Sequence, residues 1–328
     1  LSYYLENKTS KDNPKFPNAL KKGFAKAFDK FDGYNLSKYK GENKEVKLVD
    51  IVNLVHPVPT SRNKEALESL IRGELKNTQT WEAKLSEAGQ KADSKEDLEK
   101  LKSDAWGELI STGKIGYFAL LRNLRNIITQ SPTSIKEACE MLVNEKLIKK
   151  SRILPFRFAT AYEEINKIGS SKDVRDVLIA LNQALDISVA NVPKFEGETL
   201  VVMDVSASMR GIASDTASLF GAILSKVNNC DVMTFAREAN YMAYNPMDSV
   251  LTIRDGFRFA GGGTNFKSIF TTANKKYDRI IILSDMQGWV GYTTPSDEFN
   301  QYKNMFGATP FVYSWDLAGY GTLQFPEN

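Results

Sequence analysis

Residues 201–211 read VVMDVSASMRG, an apolar run that ends on one carboxylate, Asp204, and then offers two hydroxyls at alternate positions, Ser206 and Ser208. A near-continuous apolar run is the pattern of a strand covered on both faces, as in parallel sheets. In open sheets of that kind ligands collect just beyond the carboxyl ends of the strands. The stretch therefore predicts both a fold class and a site.

Working outward, the chain changes character near Pro193. After it, TLVVMDV, DVMTFA, ANYMAY, RIIILSD and TPFVYSW read as strands, with SDTASLFGAILSKV and TNFKSIFTTANKKY as helices between them. That alternation predicts a parallel, Rossmann-like α/β sheet covered on both faces, with FAREANYMAY able to form a short antiparallel hairpin at one edge. Before Pro193, apolar residues recur at three and four positions in NALKKGFAKAFDKF, KEALESLIRGEL, KEDLEKLKSDAWGELI, GYFALLRNLRNII, SIKEACEMLVNEKLI, FRFATAYEEINKI and VRDVLIALNQALDISVANV. Paired amphipathic helices of this kind suggest an all-α, HEAT-like helical repeat. The expected organisation is two domains, residues 1–193 and 194–328, which the length of 328 residues also favours.

Composition narrows the function classes. No segment approaches the roughly 20 apolar residues of a membrane span, and LSYYLENKTS has neither an initiator Met nor the build of a signal peptide. The expectation is a cytoplasmic protein whose true N-terminus lies upstream. Cys139 and Cys230 stand far apart without metal-ligand spacing, so neither a disulfide framework nor a zinc site is implied. The net charge of +3 conceals an asymmetry: residues 1–195 carry 33 Lys and Arg against 26 Asp and Glu (+7), and residues 196–328 carry 10 against 14 (−4). The basic excess fits a polyanion-binding face or an ordinary solvated surface equally well.

The Asp204, Ser206, Ser208 triplet alone also suits a helix cap or turn. Two further segments add to it. FAGGGTNFK places Thr264 behind three glycines, and IIILSDMQGW ends a second buried strand on Asp285. The order resembles the metal-ion-dependent adhesion site of von Willebrand factor A domains. By that resemblance Asp204, Ser206, Ser208, Thr264 and Asp285 hold one Mg²⁺ or another divalent cation, directly or through water. An open coordination position would then take an acidic residue from a protein partner, such as a nuclease.

The helical half carries a second resemblance. FPNALKKGFAKAFDKFDGYNLSKYKG, VKLVDIVNLVHPVP, GYFALLRNLRNI and NEKLIKKSRILPFRFATAYE are similar, in that order, to the TROVE module of Ro60-type RNA-binding proteins. The resemblance implies a monomeric ring of HEAT-like repeats closed by the A domain. It also implies misfolded noncoding RNAs threading single-stranded 3′ ends into the hole, and Y-type RNAs on the outer surface. Relatives continue beyond GTLQFPEN through a further strand and helix, so the expectation here is either an exposed sheet edge or a sequence that stops short of the domain's end.

Residue chemistry supplies candidates for RNA contact. Lys22, Lys26 and Lys30 recur every four residues, opposite Leu20, Phe24 and Phe28, as a stripe that could follow phosphates or simply be solvated. Lys38 and Lys40 flank Tyr39 and lead to Lys44 and Lys47, and basic groups interleaved with an aromatic suit phosphates and a stacked base. Lys47 replaces a His that relatives often carry. Arg122 and Arg125 share a helix face that the resemblance assigns to the ring lining; inter-helix salt bridges are the alternative. Lys146, Lys149, Lys150, Arg152 and Arg157 surround a Pro-terminated turn, and RNA and solvent are equally served there.

Catalysis finds little support. His56 is the single histidine, it has no recognisable nucleophile beside it, and its place before Pro57 suits a helix end. No phosphate-binding GxxxxGK[ST] loop is present. The sequence therefore points to a non-enzymatic RNA-binding protein of a ribonucleoprotein. A rival reading is an assembly scaffold whose A domain grips a partner through the metal.

Overall fold

The computed structural model describes residues 16–41, 44–76, 80–228, 230–259, 261–288, 294–321 and 324. It divides into two compact units, Leu1–Ile115 and Gly116–Asn328. The change from helices to strands near residue 193 thus falls inside the second unit. Sequence pattern marks where the strands begin, whereas compactness marks where packing is interrupted.

In the first unit α1 (Asn18–Ala27), α2 (Gly33–Lys38), α3 (Leu48–Val55) and α4 (Lys64–Ile71) enclose a small core. Phe28, Leu36, Leu48, Val52, Leu67 and Leu70 form it. The buried Asn63 pins the entry to α4: its Nδ2 donates to the Phe28 carbonyl at 2.8 Å and its Oδ1 accepts from the Thr60 N–H at 2.8 Å. Next, α5 (Trp81–Lys91) packs against α6 (Lys95–Ser111), with Trp81 and Trp106 stacked at 5.9 Å.

The second unit begins with α7 (Tyr117–Gln130), α8 (Ile135–Leu142), α9 (Glu145–Ser151), α10 (Pro155–Asn166) and α11 (Lys172–Ser188). SIKEACEMLVNEKLI, expected as one helix, is split into α8 and α9 because the Asn144 side chain accepts from the Leu147 N–H at 3.1 Å and starts a new helix there. Pro155 opens α10 after an extended Leu154, as a proline at the first helical position requires. This fixes Arg157 in the first turn of α10.

Five strands follow in the order β3-β2-β1-β4-β5, with β3 antiparallel and the others parallel. Their ranges are β1 Thr199–Asp204, β2 Asp231–Phe235, β3 Ala239–Tyr241, β4 Arg279–Ser284 and β5 Phe311–Asp316. Their connecting helices are α12 (Ile212–Asn228), α13 (Val250–Gly256), α14 (Lys267–Thr272) and α15 (Pro295–Phe306). Every residue of β1 is buried, and burying one such Val, Leu or Met side chain stabilises the fold by roughly 1.5–3 kcal/mol. The chain leaves β1 toward β2 on one side and reaches β4 on the other. The crevice of this open sheet therefore lies between the carboxyl ends of β1 and β4. Asp204 ends β1 and Asp285 follows β4. Among the described residues no helix is long and apolar enough to cross a membrane.

Two expectations need correction. The lysine stripe fails at Lys30, which lies in a 3₁₀ turn (Phe28–Lys30) after α1. Of the apolar residues set opposite the lysines only Phe28 is buried, while Leu20 and Phe24 are exposed. Full cover of the sheet also fails at β5, where Phe311, Tyr313 and Trp315 alternate along one exposed face.

Candidate functional site

At the carboxyl ends of β1 and β4 the structure gathers the residues expected around a metal. The Asp204 carboxylate is buried; its Oδ1 accepts from the Ser206 N–H at 2.9 Å and its Oδ2 from the Ser284 hydroxyl at 2.6 Å. Ser206 and Ser208 place their hydroxyl oxygens 3.2 Å apart. The glycine-rich loop is sewn to this turn: Ala207 N–H donates to the Gly262 carbonyl at 3.1 Å and Gly261 N–H to the Val205 carbonyl at 3.0 Å. Gly261 and Gly262 have φ of 74° and 91°, where a side chain would be strained. That loop buries Thr264. Asp285 is also buried; it receives the Gln287 N–H at 3.2 Å, and its own N–H meets the Met209 sulfur at 3.1 Å.

Burial raises the Asp204 carboxyl above the usual carboxylate range and the neighbouring Asp285 charge adds to this, although the Ser206 and Ser284 hydrogen bonds oppose it. Among the described residues neither aspartate forms an ion pair with Lys or Arg. Two carboxylates and three hydroxyls form an all-oxygen donor set that fits a hard divalent cation. Sequence reading missed Ser284 and Met209, which orient Asp204 and Asp285.

The second candidate lies between α7 and α10, which pack together. On α7 the apolar face, Leu120, Leu121, Leu124 and Ile127, is buried, which turns Phe118, Arg122 and Arg125 outward as one stripe. On α10 Arg157, Thr160 and Glu164 form the matching stripe. Between them is a cleft of about 490 Å³ with Leu121, Leu124 and Ile165 in its wall. The Arg122 and Arg157 guanidinium carbons lie 5.8 Å and 6.0 Å from the Phe118 ring centroid. None of the three arginines forms an ion pair among the described residues, and the one carboxylate in the cleft, Glu164, is bonded to Lys167 at 2.6 Å. The Lys167 contact lowers the Glu164 carboxyl, and the Arg125 charge helps to lower it further without an ion-pair contact among the described residues. Arg157 and Phe118 belong to the same group, and spacing along α7 alone could not reveal the former.

The remaining basic candidates are more dispersed. Lys22 and Lys26 are exposed on α1. Lys38, in the last turn of α2, stands over the Tyr34 and Tyr39 rings at 5.6 Å and 5.7 Å, and Tyr39 is exposed. Lys40 is held by the scaffold, donating from Nζ to the Leu75 carbonyl at 3.1 Å. Lys47 is the N-cap residue of α3. Lys149 and Lys150 end α9, and Arg152 follows in a left-handed conformation at φ 54°. The Asn191 amide supports that turn by donating to the Ile148 and Ile153 carbonyls at 3.2 Å and 2.9 Å. His56 caps the end of α3, as its position before Pro57 suggested.

Residues 65–191, which include both walls of the arginine cleft, match the TROVE domain model. That stretch is similar to the TROVE domain. Its fold, taken over 95% of the chain, matches the crystal structure of the Ro protein of Deinococcus radiodurans, covering 72% of that chain at 17% identity with a TM-score of 0.63. In sequence the chain is 24% identical over 217 residues to the RNA-binding protein RO60 of Deinococcus radiodurans, covering 58% of the chain and 41% of that protein. It is 35% identical over 99 residues to telomerase protein component 1 of Mus musculus, covering 30% of the chain and 3% of that protein. The match thus spans well under half the length of either curated relative. The fold agrees with the expected order of an all-α helical part followed by a C-terminal, mostly parallel sheet.

Proposed function

We propose that this chain binds RNA, holding single-stranded segments of noncoding RNA within a ribonucleoprotein and catalysing no reaction on them. The observation that carries this reading is the cleft between α7 and α10. There three guanidinium groups outnumber the one carboxylate, Glu164, and two of them, Arg122 and Arg157, stand over an exposed aromatic ring. Excess cations beside a ring suit a strand that brings phosphates and bases together, because arginine takes phosphate through its planar fork. The presence of the cleft inside the stretch similar to the TROVE domain and the likeness to an RNA-binding relative support it. The ligands we favour are Y-like RNAs and misfolded RNAs with single-stranded 3′ ends.

The α/β part would bind one Mg²⁺ through Asp204, Ser206, Ser208, Thr264 and Asp285. Such an ion supplies a coordination point for an acidic side chain of a protein partner. The residues themselves shape the site: Ser284 and the Ser206 N–H orient Asp204, and the glycine loop carries Thr264.

The test is a binding titration with a hairpin RNA carrying a 3′ tail and with its blunt counterpart. Tighter binding of the tailed RNA is expected, with a loss of about ten-fold or more in an Arg122→Ala, Arg125→Ala double variant. Failure of wild type to bind either RNA would overturn the reading in favour of a metal-dependent scaffold.

A further inference from the structure

The cleft holds more than phosphate-binding charge. Phe118 is 43% exposed although α7 has buried positions for apolar side chains on its opposite face. Single exposed aromatics are common and need no explanation. This one differs because two cations are held over its ring, Arg122 from its own helix and Arg157 from α10. Arg157 also lies 5.3 Å from the Phe156 ring centroid. Guanidinium groups repel each other, and three of them against the single Glu164 carboxylate, itself bonded to Lys167, leave a local positive potential that an anionic ligand relieves. A bare phosphate would use the charge and leave the ring idle. A nucleotide would use both.

We infer that Phe118, with Arg122 and Arg157, forms a stacking platform for one unpaired nucleobase, while Arg125, one turn further along α7, takes the adjoining phosphate. The inference rests on the RNA reading and adds to it a site for a single base. Aromatic rings and guanidinium planes both stack on bases, and every base offers a flat face, so the subsite tolerates sequence. The Thr160 hydroxyl donates to the Phe156 carbonyl at 3.0 Å, which leaves its oxygen free to accept from the nucleotide. Glu164, in the same wall, adds an acceptor. With two acceptors near the platform, a nucleotide bearing a 2′-hydroxyl or an exocyclic amino group is favoured.

The experiment uses the full chain and one single-stranded RNA oligonucleotide, with abasic sites introduced one position at a time. In wild type one position is expected to weaken binding on the order of ten-fold while the others change it little, since stacking on an aromatic contributes about 1–3 kcal/mol per base. In Phe118→Leu the intact oligonucleotide binds correspondingly weaker and the abasic penalty disappears. Phe118→Tyr restores both. The Phe118 ring is half outside the core, so these variants fold, and circular dichroism checks that they do. A uniform, small abasic effect in wild type overturns the platform. So does wild-type affinity in Phe118→Leu alongside weakened binding in Arg122→Ala, Arg125→Ala, and that result leaves the RNA reading standing. Absence of binding by wild type to any RNA removes both.

Discussion

At the scale of single residues the decisive pair is Asp204 and Asp285. A buried carboxylate without a cation costs free energy, and two near each other cost more. Whatever binds the folded state and neutralises them stabilises it by mass action, by about 2.7 kcal/mol at a hundred times its dissociation constant. Adding millimolar Mg²⁺ after EDTA treatment is therefore expected to raise the wild-type melting temperature by a few degrees. Asp204→Asn removes one charge and keeps the shape, so it melts no lower than wild type in EDTA and no longer responds to Mg²⁺. Differential scanning calorimetry distinguishes the cases, and an equal Mg²⁺ response in both proteins would rule out this site. The five donor candidates were legible in the sequence because each stands at a strand end or behind glycines, where local pattern speaks. Ser284 was not. Its bond to Asp204 crosses 80 positions of the chain, and no local rule links the two.

At the scale of elements, the sequence showed α7 and its outward arginines plainly, since the buried leucines dictate which face is free. It did not show that α10 faces them. Helix pairing depends on contacts distant in sequence, so Arg157 read only as one of several basic residues near a proline. Elements of weaker apolar period, α5, α13 and α15, were also passed over; they are set by caps at Thr80, Ser249 and Thr294 rather than by a broad apolar stripe. The edge strand β5 makes a prediction of its own. Among the described residues nothing pairs with its outer edge. Phe311 and Tyr313 are 64% and 47% exposed, while Trp315 keeps an edge contact to Phe220 at 5.2 Å. An exposed edge with aromatic side chains templates association. Tyr313→Lys should lower light scattering during heating and change the melting temperature by less than about one degree, because surface substitutions stay within roughly 0.5 kcal/mol. Unchanged scattering would mean that β5 is not the sticky edge.

At the scale of the whole molecule, a net charge of +3 on 328 residues is too small to draw RNA in by the overall field. Binding must then come from local groups, which gives it a measurable signature. For single strands the slope of log affinity against log salt is about −0.7 per neutralised phosphate. With Arg125 on a phosphate and Arg122 and Arg157 on the base, Arg125→Ala flattens the slope by about 0.7, whereas Arg122→Ala with Arg157→Ala weakens binding and changes the slope less. The metal site should not enter this balance at all. Its donors stand on β1, the glycine loop and β4, and the RNA donors stand on α7 and α10. EDTA, or Asp204→Asn, is therefore expected to leave both the affinity for tailed RNA and its salt slope unchanged. A slope that changes with metal would tie the two sites into one binding event and refute their independence. A slope unaffected by loss of Arg125 would move the contact surface to the lysines of α1, α2 and α9, leaving the cleft without a role in binding the backbone.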